Sequence, residues 1–132
     1  MGWVDPLGLA GYEISAQTAA TDTLARGVHV NVHGPGLPLK GGHIELKPNA
    51  VGTHVVLSPA DKATRSMTES QWGKACACAT RYLDDAKNID RLAKAAQAGA
   101  DALPGTARAV ELQKVGDILT GHGTARTNPI SR

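Results

Sequence analysis

The chain has 132 residues, of which 42% are hydrophobic and 20% are charged, and its formal net charge is +2. This length and composition fit one globular domain and exclude a disordered chain. The sequence has no apolar stretch of about 18 residues, the length that spans a membrane, and its start lacks the pattern of a signal peptide. The slight positive charge is compatible with a polyanionic substrate, and the scattered basic residues favour a localised site over a charge-coated surface.

Residues 1–12 read MGWVDPLGLAGY, and their proline and glycines predict an irregular, extended lead-in, because these residues interrupt regular structure. Within it, the run WVDPLGLAGY resembles the segment that joins the shell of Rhs-repeat proteins to their variable C-terminal toxin domains. The resemblance covers this run only, and its order, its spacing and its position before a small domain all agree with the family. The Asp-Pro-x-Gly-Leu motif of that family is matched by Asp5, Pro6, Leu7, Gly8 and Leu9.

The resemblance implies that the rest of the chain is an antibacterial toxin used in competition between bacteria. It implies self-cleavage between Leu9 and Ala10, although the acidic shell residues that assist this cleavage are absent from the chain. It also implies delivery by a specialised secretion system, with the Rhs shell as carrier, into the cytoplasm of a target cell. A cognate immunity protein would protect the producer. The expected layout is a linker at 1–12, a toxin domain at 13–122 and a flexible C-terminal arm at 123–132.

The stretch from residue 28 to residue 58 predicts strands, because apolar and polar residues alternate there. Before it, residues 13–26 mix helix formers with Thr and Ser, and we predict a short helix or turn that ends at Gly27. In the strands at 28–33 and 43–47, alternation creates two faces. The apolar face comprises Val28, Val30, Val32, Ile44 and Leu46. The polar face comprises His29, Asn31, His33, His43, Glu45 and Lys47.

A third strand at 54–58 follows a turn marked by Asn49 and Gly52. The connections are too short for helical crossovers, so the predicted sheet is antiparallel. In the first two strands, the predicted opposite pairs are His33 with His43, Asn31 with Glu45, and His29 with Lys47. In the second and third strands they are Leu46 with Val55 and Ile44 with Leu57, which places His54 beside Lys47.

Apolar residues at helical spacing predict three helices after the sheet, at 68–85, 88–102 and 106–120. Thr68 is the expected capping residue of the first. Cys76 and Cys78 lie two apart in this helix, so they should point to different sides as small fillers without pairing. The predicted fold class is therefore α+β. A small antiparallel sheet, at about 28–58, packs through its apolar face on C-terminal helices, at about 68–120, with Trp72, Leu83 and Leu112.

The polar face predicts a metal-independent ribonuclease that needs no cofactor. Cleaving RNA at a 2′-hydroxyl needs a base, an acid and a cation that stabilises the charge developing on the phosphate. Lys47 should lower the pKa of Glu45 and keep it ionised, while a histidine serves as the acid. Small toxin ribonucleases similar to barnase and the colicin ribonucleases use a sheet face in this way, although their helix precedes the sheet. The predicted catalytic residues are His33, His43, Glu45, Lys47 and His54, and the predicted substrate-binding residues are His29, Asn31, Lys40 and Arg65.

Other activities remain open. A metal-dependent DNase could ligate its ion with histidines of the polar face and Glu45, and Glu45-Leu46-Lys47 resembles the E-x-K half of restriction-type nucleases. The preceding strand lacks the acidic residue that this pattern needs. A base deaminase is rejected, because His43-Ile44-Glu45 fits H-x-E but the cysteines read C-x-C. The remaining alternatives are an ADP-ribosyltransferase or another non-nuclease toxin, for which no convincing motif is present, and a non-catalytic plug or adaptor.

Overall fold

One sheet runs through the computed structural model, which describes residues 11–17, 28–121 and 127–129. Its strands follow each other in chain order, and the first four pair antiparallel, whereas the last is parallel to its neighbour. The strands are β1 (Glu13–Gln17), β2 (His29–His33), β3 (Gly42–Pro48), β4 (Val55–Pro59) and β5 (Thr127–Pro129). With the helices that follow β4, this sheet confirms the α+β class.

Four helices lie between β4 and β5 in the described residues: α1 (Lys62–Arg65), α2 (Glu69–Leu83), α3 (Ala86–Ala102) and α4 (Ala107–Gly121). The three long helices agree with their predicted ranges to within two residues at each end. The cap of α2 is confirmed, because the Thr68 hydroxyl accepts from the Gln71 backbone and the Gln71 side chain accepts from the Thr68 backbone. Helix α3 begins earlier than predicted because Asp85 caps it and accepts from the Lys87 backbone at 2.8 Å.

The apolar face of the sheet is the centre of the core. Its side chains on β2, β3 and β4 are at most 1% exposed, and they share one cluster with Trp72, Leu83 and Leu112, as predicted. Each such Val, Leu or Ile contributes roughly 1.5–3 kcal/mol by leaving water. Helix α2 contacts β1, β2 and β3, while α4 contacts β3, β4 and α3. The cysteines of α2 are buried thiols, as expected.

Two short strands differ from the predictions. Residues 13–17 form β1 instead of a helix or turn, because the open edge of β2 offers backbone hydrogen bonds that outweigh a weak local preference. Residues 18–26, the rest of that predicted segment, lie outside the described residues. Within the predicted C-terminal arm, Thr127–Pro129 pairs with β4 as β5.

The predicted strand registers are each wrong by two residues. Asn31 lies opposite His43 and His29 opposite Glu45, while Leu46 lies opposite Leu57 instead of Val55. The turns explain the shift. Two hydrogen bonds, Leu37 N to Gly34 O and Gly41 N to Pro38 O, close the first loop on itself, and the Asn49 backbone binds His54 across the second. A shift of two residues leaves every side chain on its predicted face, because the side-chain period of a strand is two.

Candidate active site

Two histidines of the polar face meet at one end of the sheet. His33 is the last residue of β2, and His43 is the second residue of β3. Their ring centroids are 6.4 Å apart and the rings are inclined by 67°. Both residues are half-buried, so each remains partly accessible to solvent. The pair that the sequence predicted as direct cross-strand neighbours is therefore close in space, although the two residues are diagonal in the register.

Asp61 holds the ring of His43. Its Oδ2 lies 2.9 Å from His43 Nδ1, and the two side chains are 40% and 38% exposed. Asp61 also caps α1, since its Oδ1 accepts from the Thr64 backbone at 2.8 Å. The buried Thr64 hydroxyl in turn accepts from the His43 backbone at 2.9 Å. The first turn of α1 thus fixes both the backbone and the ring of His43, and a ring that donates from Nδ1 presents Nε2 to solvent.

The carboxyl of Asp61 is suited to accept a hydrogen bond from the His43 ring. Burial by itself raises its pKa, but hydrogen bonds from the Thr64 backbone and side chain, and then the nearby His43, outweigh burial. The pKa of Asp61 therefore lies below its ordinary value, and the group is an ionised acceptor at neutral pH.

Sequence reasoning missed Asp61. The only local signal was Asp61 followed three residues later by Thr64, which is typical of a helix start and points to structure rather than to chemistry. Its proximity to His43 depends on the β3–β4 register, in which the Ala60 backbone donates to His43 O at 2.7 Å.

Glu45 is not the exposed base that the sequence predicted. It is only 8% exposed, and Arg108 of α4 binds its carboxylate while also binding Glu111. Burial raises the pKa of Glu45, and the opposing attraction of Arg108 and Lys47 does not cancel it. Lys47 does lower the pKa of Glu45, as predicted, but burial has the larger effect, so the net shift is upward. The arrangement resembles a structural ion pair more than an acid or base open to substrate.

The other predicted site residues of the strands and turns are either buried or far from the two histidines. His29 and Asn31 are buried, although Asn31 lies directly opposite His43. His54 belongs to the turn after β3, where its Nδ1 lies 2.9 Å from Thr53 Oγ1. It does not sit beside Lys47 in a strand pair, because Lys47 lies opposite Val56. Pro48 is five residue steps along β3 from His43, or about 17 Å, so Lys47, just before it, and His54, in the turn after it, lie toward the other end of β3.

Two of the predicted substrate-binding residues are exposed on chain segments that adjoin the two histidines. Lys40 is exposed in the loop that joins β2 to β3, and Arg65 is exposed at the end of α1. Lys62, which directly follows Asp61, is also exposed. Exposed cations therefore lie in the loop that leads into β3 and on the helix whose cap, Asp61, binds His43.

The predicted ligand set of a metal-dependent nuclease does not converge. Across residues 11–17, 28–121 and 127–129, no group of three or more His, Cys, Asp or Glu side chains could hold a metal ion. Glu45, the carboxylate of that set, lies against the guanidinium of Arg108, and a cation at this position would repel a metal ion.

Gly41 makes room for the ring of His33. Its φ is +68°, and a Cβ there would lie 2.4 Å from Val32 O and 2.6 Å from His33 Nδ1. We therefore expect Gly41→Ala to cost about 1–3 kcal/mol in the free energy of unfolding and to displace the His33 ring. Gly52→Ala is the matched control, because Gly52 also has a positive φ but faces open space. Urea unfolding and the His33 NMR resonances measure both variants, and an unmoved His33 resonance in Gly41→Ala would contradict the expectation.

Comparison of the chain with protein-family models, with curated proteins and with solved structures finds no match. In the described part of the chain, no helix has both the length and the apolar character that crossing a membrane requires. The residues of the Rhs-like junction, including Leu9 and Ala10, lie outside the described residues.

Proposed function

We propose that this chain is the toxin domain of an Rhs-type effector and that it cleaves RNA without a metal ion, with His33 and His43 as the acid and the base. The observation that carries this proposal is the pair of half-buried imidazoles 6.4 Å apart, one of them held by a carboxylate at 2.9 Å. Polar faces of sheets rarely need such a pair for stability, and histidine is the side chain whose ordinary pKa suits both proton transfers near neutral pH.

In the proposed reaction, one imidazole takes the proton of a 2′-hydroxyl, whose oxygen then attacks the adjacent phosphorus. The bond from phosphorus to the 5′-oxygen breaks, and the other imidazole protonates that oxygen. The products are a 2′,3′-cyclic phosphate and a free 5′-hydroxyl. Asp61 holds the His43 ring with Nε2 toward the substrate, and so reduces the entropic cost of orienting it.

Exposed cations beside the pair supply the attraction for a polyanion. Lys40 precedes Gly41, which borders the His33 ring, and Lys62 and Arg65 belong to the helix whose cap, Asp61, binds His43. Each contact between such a side chain and a phosphate releases counterions. The histidines do not line the cavity of about 390 Å³ on α2, whose walls include Trp72 and Thr80. An open site of this kind suits a polymer better than a small molecule, which pockets enclose.

A toxin of this kind needs a protein partner that protects the cell producing it. A cognate immunity protein would cover the histidine pair and carry acidic residues that meet Lys40, Lys47 and Arg65. Such charge pairs mainly accelerate association and make it sensitive to salt. Binding of the product of a neighbouring gene that leaves His33 accessible and does not respond to salt would oppose this part of the proposal.

The test is incubation of the purified chain with total RNA and with plasmid DNA, each with and without EDTA. We expect cleavage of RNA in both conditions, intact DNA, and 2′,3′-cyclic phosphate ends. An RNA oligonucleotide with 2′-O-methyl groups should resist cleavage, because it lacks the attacking hydroxyl. Activity that EDTA abolishes would favour a metal-dependent nuclease instead. Intact RNA and DNA together with toxicity in cells would favour ADP-ribosyl transfer or another non-nuclease activity.

A further inference from the structure

Strand β1 brings a carboxylate to His33 that the sequence did not predict. Glu13, the first residue of β1, is the direct cross-strand partner of His33. Directly opposed residues of an antiparallel pair project to the same face, with Cβ atoms about 5 Å apart. Glu13 is therefore on the polar face, next to the one imidazole of the pair for which no carboxylate has yet been assigned.

The carboxylate of Glu13 is available to accept a hydrogen bond. Its side chain is exposed, and among the described residues it forms no ion pair with Lys, Arg or His. The two carboxylates already described near His43 have partners of their own. Glu45 is bound by Arg108, and Asp61 binds His43 and caps α1. Among the carboxylates on the described strands, Glu13 is thus the one that can still accept a hydrogen bond from a histidine ring.

Tyr12 fixes the position of Glu13. The Tyr12 hydroxyl donates to the Pro35 carbonyl at 2.7 Å. The ring of Tyr12 lies against Gly34, where a Cβ would be only 2.0 Å from Tyr12 Cδ1. The residue before Glu13 is therefore anchored to the two residues that directly follow His33, so the start of β1 and the end of β2 are held together.

Given the proposed function on which this inference rests, we propose that the exposed side chain of Glu13 turns toward His33 and acts as its positioning residue. The working site would then have two carboxylate–imidazole pairs, Glu13 with His33 and Asp61 with His43. A carboxylate that accepts from one ring nitrogen fixes the tautomer and directs the other nitrogen toward the substrate. The two pairs would hold both rings in the orientation that acid–base cleavage of one phosphodiester needs.

The kinetic test compares Glu13→Ala and Glu13→Gln with Asp101→Asn, which removes an exposed carboxylate from α3. We expect kcat for RNA cleavage to fall by about 10- to 100-fold in Glu13→Ala with little change in KM. Glu13→Gln should recover part of this loss, because its amide oxygen can still accept a hydrogen bond. Asp101→Asn should retain full activity. A rise in KM alone, or equal losses in all three variants, would overturn the positioning role.

A second readout does not depend on catalysis. In ¹⁵N NMR spectra recorded with His33 neutral, we expect one imidazole tautomer in the unaltered protein and a mixture in Glu13→Ala, with the His54 signals unchanged as an internal control. If the unaltered protein cleaves no RNA but the tautomer changes, the ribonuclease proposal fails and the Glu13–His33 pair stands. An unchanged tautomer and an unchanged kcat in Glu13→Ala would overturn the inference even if RNA is cleaved.

Discussion

His43→Ala is expected to lower the rate of RNA cleavage by about 10²- to 10⁴-fold, the usual loss when a positioned acid or base is removed. The fold should survive, because the bond from the His43 backbone to Thr64 does not involve the ring. The ion pair that is lost has side chains 38% and 40% exposed, and pairs at such positions contribute about 0–1 kcal/mol. Single-turnover cleavage of an RNA oligonucleotide and thermal unfolding measure the two effects separately.

Two variants serve as controls for this prediction. Asp61→Asn retains a side chain that can cap α1 but removes the carboxylate, so we expect an intermediate loss of rate with a nearly unchanged melting temperature. His54→Ala removes a histidine at the other end of β3 and should cleave RNA at the full rate. A fully active, normally folded His43→Ala would mean that the catalytic site lies elsewhere.

Arg108→Ala is expected to destabilise the protein by about 3 kcal/mol at neutral pH, because it leaves the buried carboxylate of Glu45 without its cation. The loss should depend on pH. Since burial raises the pKa of Glu45, the folded state holds the proton more tightly than the unfolded state. Ionisation of Glu45 therefore lowers the free energy of unfolding. The loss begins as pH rises past the pKa of Glu45 in the unfolded chain, near 4.5, and is complete above its raised pKa in the folded protein. Without Arg108 this loss grows, so the deficit should be large at pH 7 and small below about pH 4.

Urea unfolding at both pH values tests this expectation. Glu111→Gln removes the more exposed partner of Arg108, and an i,i+3 pair of this kind contributes only about 0.2–0.5 kcal/mol. The double variant Arg108→Ala with Glu45→Gln should recover much of the stability, because no buried charge then lacks a partner. Equal losses at pH 7 and pH 4, or a double variant as unstable as Arg108→Ala, would show that Arg108 acts through packing and not through charge.

The sequence by itself determined the features that depend on neighbours within one element. Alternation placed Val30 and Ile44 on the buried face and His33 and His43 on the other, since the period of a strand is a property of its backbone. Helical spacing and the cap at Thr68 located the long helices for the same reason. Because the registers shifted by two residues, even the wrong pairings left these faces correct.

Only the tertiary structure decided how those faces are covered and which groups meet on them. Arg108 and Glu45 are 63 residues apart in the chain, and no local pattern distinguishes a carboxylate bound by a distant helix from one in water. Asp61 reaches His43 because β4 and β3 pair in one register, and Glu13 reaches His33 because β1 occupies the open edge of β2. These contacts depend on which of several similar strand pairings buries the most apolar surface, and that comparison involves the whole chain at once.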